Sequence, residues 1–571
     1  MLKNLILLIN VLVSNQNNLY HIMDFNLPRP EENIQPNPKL LKKHLEETGG
    51  KIVTRMPPEP NGYLHLGHAK AMYINFTFAK SKNGWCYMRF DDTNPTKEKQ
   101  EYIDSILEDV EWLNHKPHKI TYTSDYFGQL YNFAVEMIKK DKAYVCELDY
   151  ETVKRQRYES IDSVYRNRPV DESLRLFDEM KSGKHKEGSM ALRMKCNMQS
   201  TNPNMRDLTA YRILFREHPR TGNEWCIFPT YDFSHPIVDS LENITHSLCS
   251  MEFQTRNELY RWIPETLGIY APPQIEYSRL NMTHTVLSKR KLIELVNDGI
   301  VSDWDDPRMP TIRGLRRKGY TPEAINDFCK RMGMSIGSTS GVVHYNLLEE
   351  CLRQDLDTKA PRVMAIMNPL KVNIINIPEN ETVKTFALDF PNLKDNSTKH
   401  EINVGNVVWI DKEDFRMADS PKYFRLAPNK IVRLKYFGLI KCCDVKDIKM
   451  DQNNEVSELY CELLPNDFKP AKRVQGTINW VSDIDHCNVE IRKYDHLFPS
   501  ALDKSKDWKS QLNLNSKTTL NIMTDNSIKC NNINKFQFER IGYFSIDPDT
   551  TIDNMVMNMV TALKENKDKN T

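Results

Sequence analysis

His65 and His68 stand three residues apart, with Gly67 between them, in the run Met56-Pro-Pro-Glu-Pro-Asn-Gly-Tyr-Leu-His-Leu-Gly-His68. The β-branched run Lys51–Arg55 before it predicts a buried strand, and apolar residues at helical spacing from Ala69 to Ser81 predict a helix. Proline and glycine between them force a tight turn, so the histidines fall at the start of the helix. A helix's first turn has unsatisfied N–H groups and the positive end of its dipole, which suits phosphate. Gly67, without a Cβ, lets a ligand approach the backbone, and both imidazoles can donate to phosphate oxygens from one side of the turn. Taken alone, a His-x-x-His pair is more often surface decoration, and a metal reading lacks a third ligand at suitable spacing. Asp91 closes a second predicted strand, Trp85–Phe90. A carboxylate there could hold an ammonium group, and the Asp/Thr/Asn cluster around it could equally cap a helix, Thr93 or Asn94 doing so while Asp91 faces a pocket.

These groups need a scaffold. Lys97–Leu113 carries an apolar stripe of Tyr102, Ile103, Ile106, Leu107, Val110 and Leu113, so strand and helix alternate. That order predicts a parallel doubly wound sheet with ligands beyond the carboxyl ends of its strands. From about Tyr126 to Ile227 the pattern shifts to an α+β insertion. Tyr144–Glu147, Met190–Lys195 and Tyr211–Phe215 read as strands there, and Lys154–Arg168 as a charged helix. The strand–turn pattern resumes at Trp225, and Ile237–Asn257 reads as helix. Pro322–Arg331 and Tyr345–Leu356 are two further helices. After Arg362, short alternating runs at Val372–Ile377, Asn406–Ile410, Ile431–Lys435 and Glu458–Leu463 suggest β-barrels.

At 571 residues the chain is too long for one core. A formal net charge of +1 announces no nucleic-acid partner, so such a partner must rest on local patches such as Arg313, Arg316, Arg317 and Lys318. Twelve cysteines without a C-x-x-C pair suggest neither a zinc site nor a disulfide framework, and fit a reducing compartment. No segment is long enough to span a membrane. Leu2–Val13 has the length of a signal-peptide core. With the Asn-rich and Pro-rich sequence that follows, residues 1–45 read as a poorly ordered extension or a mis-set start, organelle targeting being the lesser alternative. The Lys- and Asn-rich tail after Thr561 reads as disordered.

Met56–His68 resembles the HIGH-type motif of class I aminoacyl-tRNA synthetases in the form of the glutaminyl/glutamyl branch, and the likeness continues over roughly Lys51–Asp549. It implies ATP contacts from Glu59, Pro60, Asn61, His65, Leu66, Gly67, His68, Ala69, Lys70 and Ala71, and again from Ser250, Arg279 and Leu280. Thr285-Val-Leu-Ser-Lys-Arg-Lys291 looks like the family's KMSKS loop, adding Leu287, Ser288 and Lys289 to the ATP set. By the resemblance, His65, His68, Ser288 and Lys289 are catalytic: a mobile cation neutralises charge as a carboxylate attacks the α-phosphate and pyrophosphate leaves. Arg89–Pro95 and Tyr231-Asp-Phe match the amino-acid pocket, which implies Asp91 and Tyr231 as substrate contacts. An aromatic hydroxyl such as Tyr231's can donate to one amide oxygen, although an isolated tyrosine is more often core packing. Arg55 is a further pocket candidate.

Cys249 stands where glutamyl relatives commonly carry Arg. A neutral thiol argues for glutamine, because an unpaired charge in such a pocket is costly. Leu287, shared with glutamyl relatives, leans the other way. Lys535–Phe544 matches the family's closing segment, and by that match Arg362, Arg425, Lys435, Gln537 and Arg540 contact anticodon bases. Lys435 replaces a frequent Arg, which is not an equivalent exchange.

The expected architecture is multidomain α/β: a class I Rossmann-type nucleotide-binding fold with an inserted α+β acceptor-binding domain, a helical stem-contact region and C-terminal all-β barrels. The expected divisions are 1–45 extension, 46–125 first half of the catalytic fold, 126–227 insertion, 228–290 second half, 291–357 helical region, 358–553 two barrels and 554–571 tail. The resemblance implies ATP-dependent joining of L-glutamine to tRNA(Gln) through an adenylate, driven by proximity and charge stabilisation. Adenylate formation in this family generally needs tRNA. Mg²⁺ is expected with ATP, held by phosphate oxygens and water, with no protein-held metal. The expected protein is cytoplasmic, without a membrane partner, and a monomer compatible with association with other synthetases. The rivals are a glutamyl enzyme of the same branch and a non-catalytic tRNA-binding relative, the latter opposed by intact His65, His68, Ser288 and Lys289. A third, modification of a tRNA base with an activated amino acid, would not require the barrels.

Overall fold

Val53–Met56 (β1) is buried at every position, as befits a strand covered on both faces. In the computed structural model, which describes residues 27–335, 341–393, 398–529 and 533–564, β1 pairs in parallel with Trp85–Phe90 (β2). β2 in turn pairs in parallel with Lys119–Tyr122 (β3). Helix Leu66–Ser81 links β1 to β2, and helix Gln100–Trp112 links β2 to β3, the βαβ order predicted above. Gly84 is needed where the first helix turns into β2, since a Cβ there would lie 2.1 Å from the carbonyl oxygen of Ile52. On the other side of β1, Thr245 donates its backbone N–H to the Val53 carbonyl at 2.9 Å and accepts from the Val53 N–H at 2.8 Å. This brings up a second parallel pair, Ser247–Ser250 with Gln274–Tyr277.

Between the three-stranded sheet and this last pair, in sequence, comes an antiparallel sheet in chain order: Ala143–Cys146, Ala191–Met194, Thr209–Ile213 and Ile227–Pro229. Helices Phe127–Lys139 and Val170–Lys181 cover it through Leu130, Met137, Ile138, Phe177 and Met180.

Four local expectations need correction. The charged helix runs over Tyr150–Glu159, capped by Asp149, and ends at Ser160 with φ +59°, well short of Arg168. Ile237–Asn257 is not one helix. Helix Tyr231–Leu241 ends before Asn243 at φ +55°, and the chain then forms the buried start of strand Ser247–Ser250 and a 3-10 stretch, Met251–Arg256. Neither Thr93 nor Asn94 caps a helix: the next one begins at Gln100, the Thr93 hydroxyl donates to Asp91, and the Asn94 N–H donates to Glu98. The leading segment is also not loose throughout. Asn33 and Gln35 donate to the Ala271 carbonyl, and His44, on helix Pro38–Thr48, stacks on Tyr270 with centroids 3.8 Å apart. Residues 1–26 and 565–571 lie outside the described residues.

The chain divides into two compact units. One holds the described residues of Met1–Asn281 and Asn326–Val342, the other those of Met282–Ile325 and Val343–Thr571. The first stretch of the unit with β1 runs to Asn281, and a second stretch, Asn326–Val342, returns to it. Val286, Leu292 and Leu295 join Val301, Met309, Leu497 and Phe498 in the second unit.

Two curled sheets make up most of that unit. The first runs Thr477–Ile478, Ile431–Leu434, Gly438–Cys442, Val456–Leu463, Pro369–Ile374, Val407–Asp411, Val481–Ser482. Its first and last strands are separated in sequence only by Asn479 and Trp480, so the sheet must curl round on itself, with Trp480 wholly buried inside. The second begins with Arg362–Val363, ends with Ala365–Ile366 one residue later, and curls for the same reason.

Candidate active site

His65 is the N-cap of helix Leu66–Ser81, and its Nδ1 accepts from the Gly67 N–H at 3.1 Å. His68 Nδ1 accepts from the His65 backbone N–H, also at 3.1 Å. With both Nδ1 atoms accepting, a neutral ring carries its proton on Nε2, so each imidazole is a donor there. The rings lie 3.9 Å apart, centroid to centroid. The geometry thus sets two side-chain donors at the positive end of a helix dipole, a cradle for phosphate.

Not every residue of the expected ATP set faces that cradle. Leu66, Ala69 and Lys70 are buried, and the Lys70 ammonium donates to the Ser278 carbonyl at 2.7 Å instead of meeting a phosphate. That bond ties the helix to the segment carrying Arg279 and Leu280. Arg279 is exposed and paired with Glu252. Glu59 is exposed, and Asn61, Gly67 and Ala71 are half-buried. Pro60 is buried, and the loop is held against β2 where the Asp91 N–H donates to the Pro58 carbonyl at 3.0 Å. Ser250 occupies the position just before the 3-10 stretch Met251–Arg256, without a side-chain capping bond. In the second unit Ser288 is the N-cap of helix Lys289–Asn297, with Leu287 and Lys289 half-buried.

Asp91, at the carboxyl end of β2, is 6% exposed. Burial pushes its carboxyl up to about 7, with Asp92 and Glu59 adding to the rise and Arg89 opposing it. Tyr231 opens helix Tyr231–Leu241, its ring stacked on His235 one turn later with centroids 4.6 Å apart. Burial raises its phenol, Arg55 opposes the rise and the Asp91 carboxyl adds to it, and Cys249 lies in the same neighbourhood. The Cys249 thiol is itself pushed up to about 12 by burial, and stands neutral.

Arg55 lies beside Tyr231 and Cys249, but its guanidinium is fully engaged by the protein. Its guanidinium is 1% exposed and held at 3.1 and 3.2 Å by Asp239, at 2.9 Å by the Leu248 carbonyl and at 2.5 Å by Ser247. Arg89 meets the same Asp239 at 2.5 Å and Glu242 at 2.8 Å, and the Tyr260 hydroxyl donates to Asp239 at 2.6 Å. Burial alone would raise the Asp239 carboxyl, but Arg55 and Arg89 outweigh it and hold it well below the usual range. His235 lies between the two guanidinium groups, 2.8 Å from one and 3.2 Å from the other. This buried network escaped the sequence reading. Its one local signal is the His235/Asp239 spacing on a helix face.

The five residues assigned to RNA bases all lie in the second unit. Arg362 and Gln537 are register partners on adjacent parallel strands. Arg362 pairs with Asp357 at 2.9 Å, and Gln537 Oε1 is buried without a hydrogen-bond partner among the described residues. Lys435 pairs with Glu539, while Arg425 and Arg540 converge on Asp414.

Family comparison agrees with this layout. A family model described as tRNA synthetases class I (E and Q), catalytic domain, matches residues 51–358. Two described as the anti-codon binding domain of the same family match residues 360–464 and 477–547. A probable glutamine–tRNA ligase of Dictyostelium discoideum is 48% identical over 552 residues, covering 96% of this chain and 70% of its own length. The cytoplasmic glutamine–tRNA ligase of Arabidopsis thaliana is 44% identical, covering 93% of this chain and 67% of its own length. The glutamine–tRNA ligase of Clostridium perfringens is also 44% identical, covering 90% and 94%. The strand–turn–helix unit, the insertion, the first curled sheet and most of the second fall within the family-model matches, and the chain belongs to the class I tRNA synthetases of the E and Q type.

Proposed function

We propose that this chain joins L-glutamine to tRNA(Gln) in an ATP-dependent reaction, in the cytoplasm. The glutamine carboxylate attacks the α-phosphate of ATP and pyrophosphate leaves. A hydroxyl of the terminal tRNA adenosine then attacks the acyl carbon of the adenylate, and AMP leaves. His65, His68 and the helix start receive phosphate, Asp91 holds the α-ammonium, and Tyr231 meets the side-chain amide. Ser288 and Lys289 keep the roles that their motif implies. Mg²⁺ accompanies ATP on phosphate oxygens and water, since the cradle's own groups are donors fitted to anions. The insertion serves the acceptor stem, and the curled sheets serve the anticodon.

The observation that carries glutamine over glutamate is the charge state around Cys249. Its thiol is neutral, and the two guanidinium groups nearest Tyr231 are already matched, Arg55 by Asp239 and Arg256 by Asp232 at 2.9 Å. A second substrate carboxylate would enter a pocket whose cations are taken, whereas an amide needs none. The test is charging of an unmodified tRNA(Gln) transcript with radiolabelled glutamine and, separately, glutamate. ATP-dependent charging by glutamine alone supports the reading. Charging by glutamate would overturn the pocket argument, and binding of tRNA without charging by either would favour the non-catalytic alternative.

A further inference from the structure

Asp414 closes the single 3-10 turn that follows strand Val407–Asp411, and its side chain is wholly buried. Two of the five residues assigned to anticodon contacts converge on it. Arg540 meets it as a fork, Nη1 to Oδ2 at 2.8 Å and Nη2 to Oδ1 at 3.0 Å. Arg425 brings Nη1 to 2.5 Å from Oδ1. The backbone carbonyl of Asp414 also accepts from the Leu426 N–H at 2.9 Å, which fixes the chain next to Arg425. Arg540 sits at φ +67° in the tight turn between strands Lys535–Phe538 and Gly542–Ile546, so its side chain leaves the hairpin tip from a restricted backbone. Arg540 comes from a hairpin of the second curled sheet and Arg425 from the loop before strand Ile431–Leu434 of the first, and this one carboxylate joins them.

Arg540 is held along one edge of its guanidinium and Arg425 at Nη1 alone, and their side chains remain 38% and 39% exposed. Asp414 has no surface of its own to offer a base or a phosphate. Resting on the tRNA-ligating reading above, we propose that Asp414 is the positioning residue for RNA recognition by this unit: it aims Arg425 and Arg540 together, before RNA arrives. An unheld arginine would lose its rotamer freedom on binding, and the ion pair removes that loss beforehand.

The test compares Asp414→Asn with the Arg425→Ala/Arg540→Ala double variant, with Asp414→Asn also placed in the double-variant background. In Asp414→Asn, KM for tRNA should rise about tenfold and the penalty for substituting an anticodon base should shrink, while KM for glutamine at saturating tRNA is unchanged. Added to the double variant, Asp414→Asn should raise KM for tRNA no further. Asp414→Glu keeps the buried charge paired while displacing both guanidinium groups, and it should also lose anticodon discrimination, so a folding defect in the Asn variant does not stall the test. Wild-type anticodon discrimination in either single variant, or an effect of Asp414→Asn that persists in the double variant, would overturn the proposal. Failure of the unaltered protein to charge tRNA(Gln) would instead overturn the functional reading on which it rests.

Discussion

The proposed role of Asp91 in holding the α-ammonium would couple activity to pH in a way that can be worked from its surroundings. Burial raises its carboxyl from 3.8 to about 7, yet holding an α-ammonium requires the ionised form. With a titration near 7, about a tenth of the free enzyme is competent at pH 6 and about nine-tenths at pH 8, so kcat/KM for glutamine should rise roughly tenfold across that interval. The same shift has a cost in stability. Because the folded value lies above the unfolded one, the native state holds the proton more tightly between pH 3.8 and about 7, and stability falls as pH rises through that window. Above it the full difference applies, roughly 4 kcal/mol as an upper figure. Asp91→Asn removes the titration. The variant should lose about 10- to 100-fold in kcat/KM for glutamine, the worth of one charge-assisted hydrogen bond, while melting higher than the unaltered protein at pH 8 and level with it near pH 4. The assay is aminoacylation at saturating ATP and tRNA from pH 6 to 8, with thermal melts alongside. A flat profile, or the same rise with pH in Asp91→Asn, would refute the reasoning.

Three further sites give separate tests, two at the pocket and its supports and one in the second unit. Asp239→Asn leaves the buried Arg55 guanidinium without a carboxylate and Arg89 with Glu242 alone, and should lower stability by about 3–5 kcal/mol, so a loss under about 1 kcal/mol in denaturation would show that the network is not load-sharing. His400 is held by Asp389 at 2.8 Å with Asp525 at 3.7 Å. Burial lowers its pKa, but Asp525 and Asp389 together raise it to about 9, so its contribution is complete below pH 6.5 and lost as pH rises through about 9. That amounts to at most roughly 3 kcal/mol, and His400→Gln should flatten the decline in melting temperature over this range; an unchanged slope would assign the decline to another group. Cys249→Ser should keep glutamine charging within about threefold, whereas Cys249→Arg should lower it about 100-fold or more by placing an unmatched cation against an amide. Equal effects of the two substitutions in steady-state charging would mean that size, not charge, governs this position.

What could be read from the sequence was what lies close together along the chain. The strand, turn and helix around His65 and His68 occupy one continuous stretch, and its apolar spacing and breakers are sufficient to place both imidazoles at a helix start. Helical periodicity served less well at Ile237–Asn257, where four strand residues are too few to display an alternation and Asn243 breaks the helix through a backbone angle that composition does not reveal. Charge was the least legible property of all. Arg55 and Lys70 sit beside the motif and look like ligand contacts, yet Arg55 answers to Asp239, 184 positions away, and Lys70 to the Ser278 carbonyl, 208 positions away. A buried cation must find an acceptor, and nothing about its neighbours in sequence says whether that acceptor is substrate or protein. The same ambiguity holds in the second unit, where Arg362, Arg425, Lys435 and Arg540 each already have a carboxylate partner. There the exposure of the guanidinium edges decides otherwise: Arg425 and Arg540 remain more than a third open to solvent, while Arg55 is sealed. A pair with one open edge can orient a cation toward a ligand, and a closed pair can only support the fold. That distinction predicts that Arg55→Lys will cost stability before it costs specificity, whereas Arg540→Lys will cost anticodon discrimination with the melting temperature nearly unchanged; melts and anticodon-substituted transcripts measured on both variants, with the opposite assignment in either, would break it.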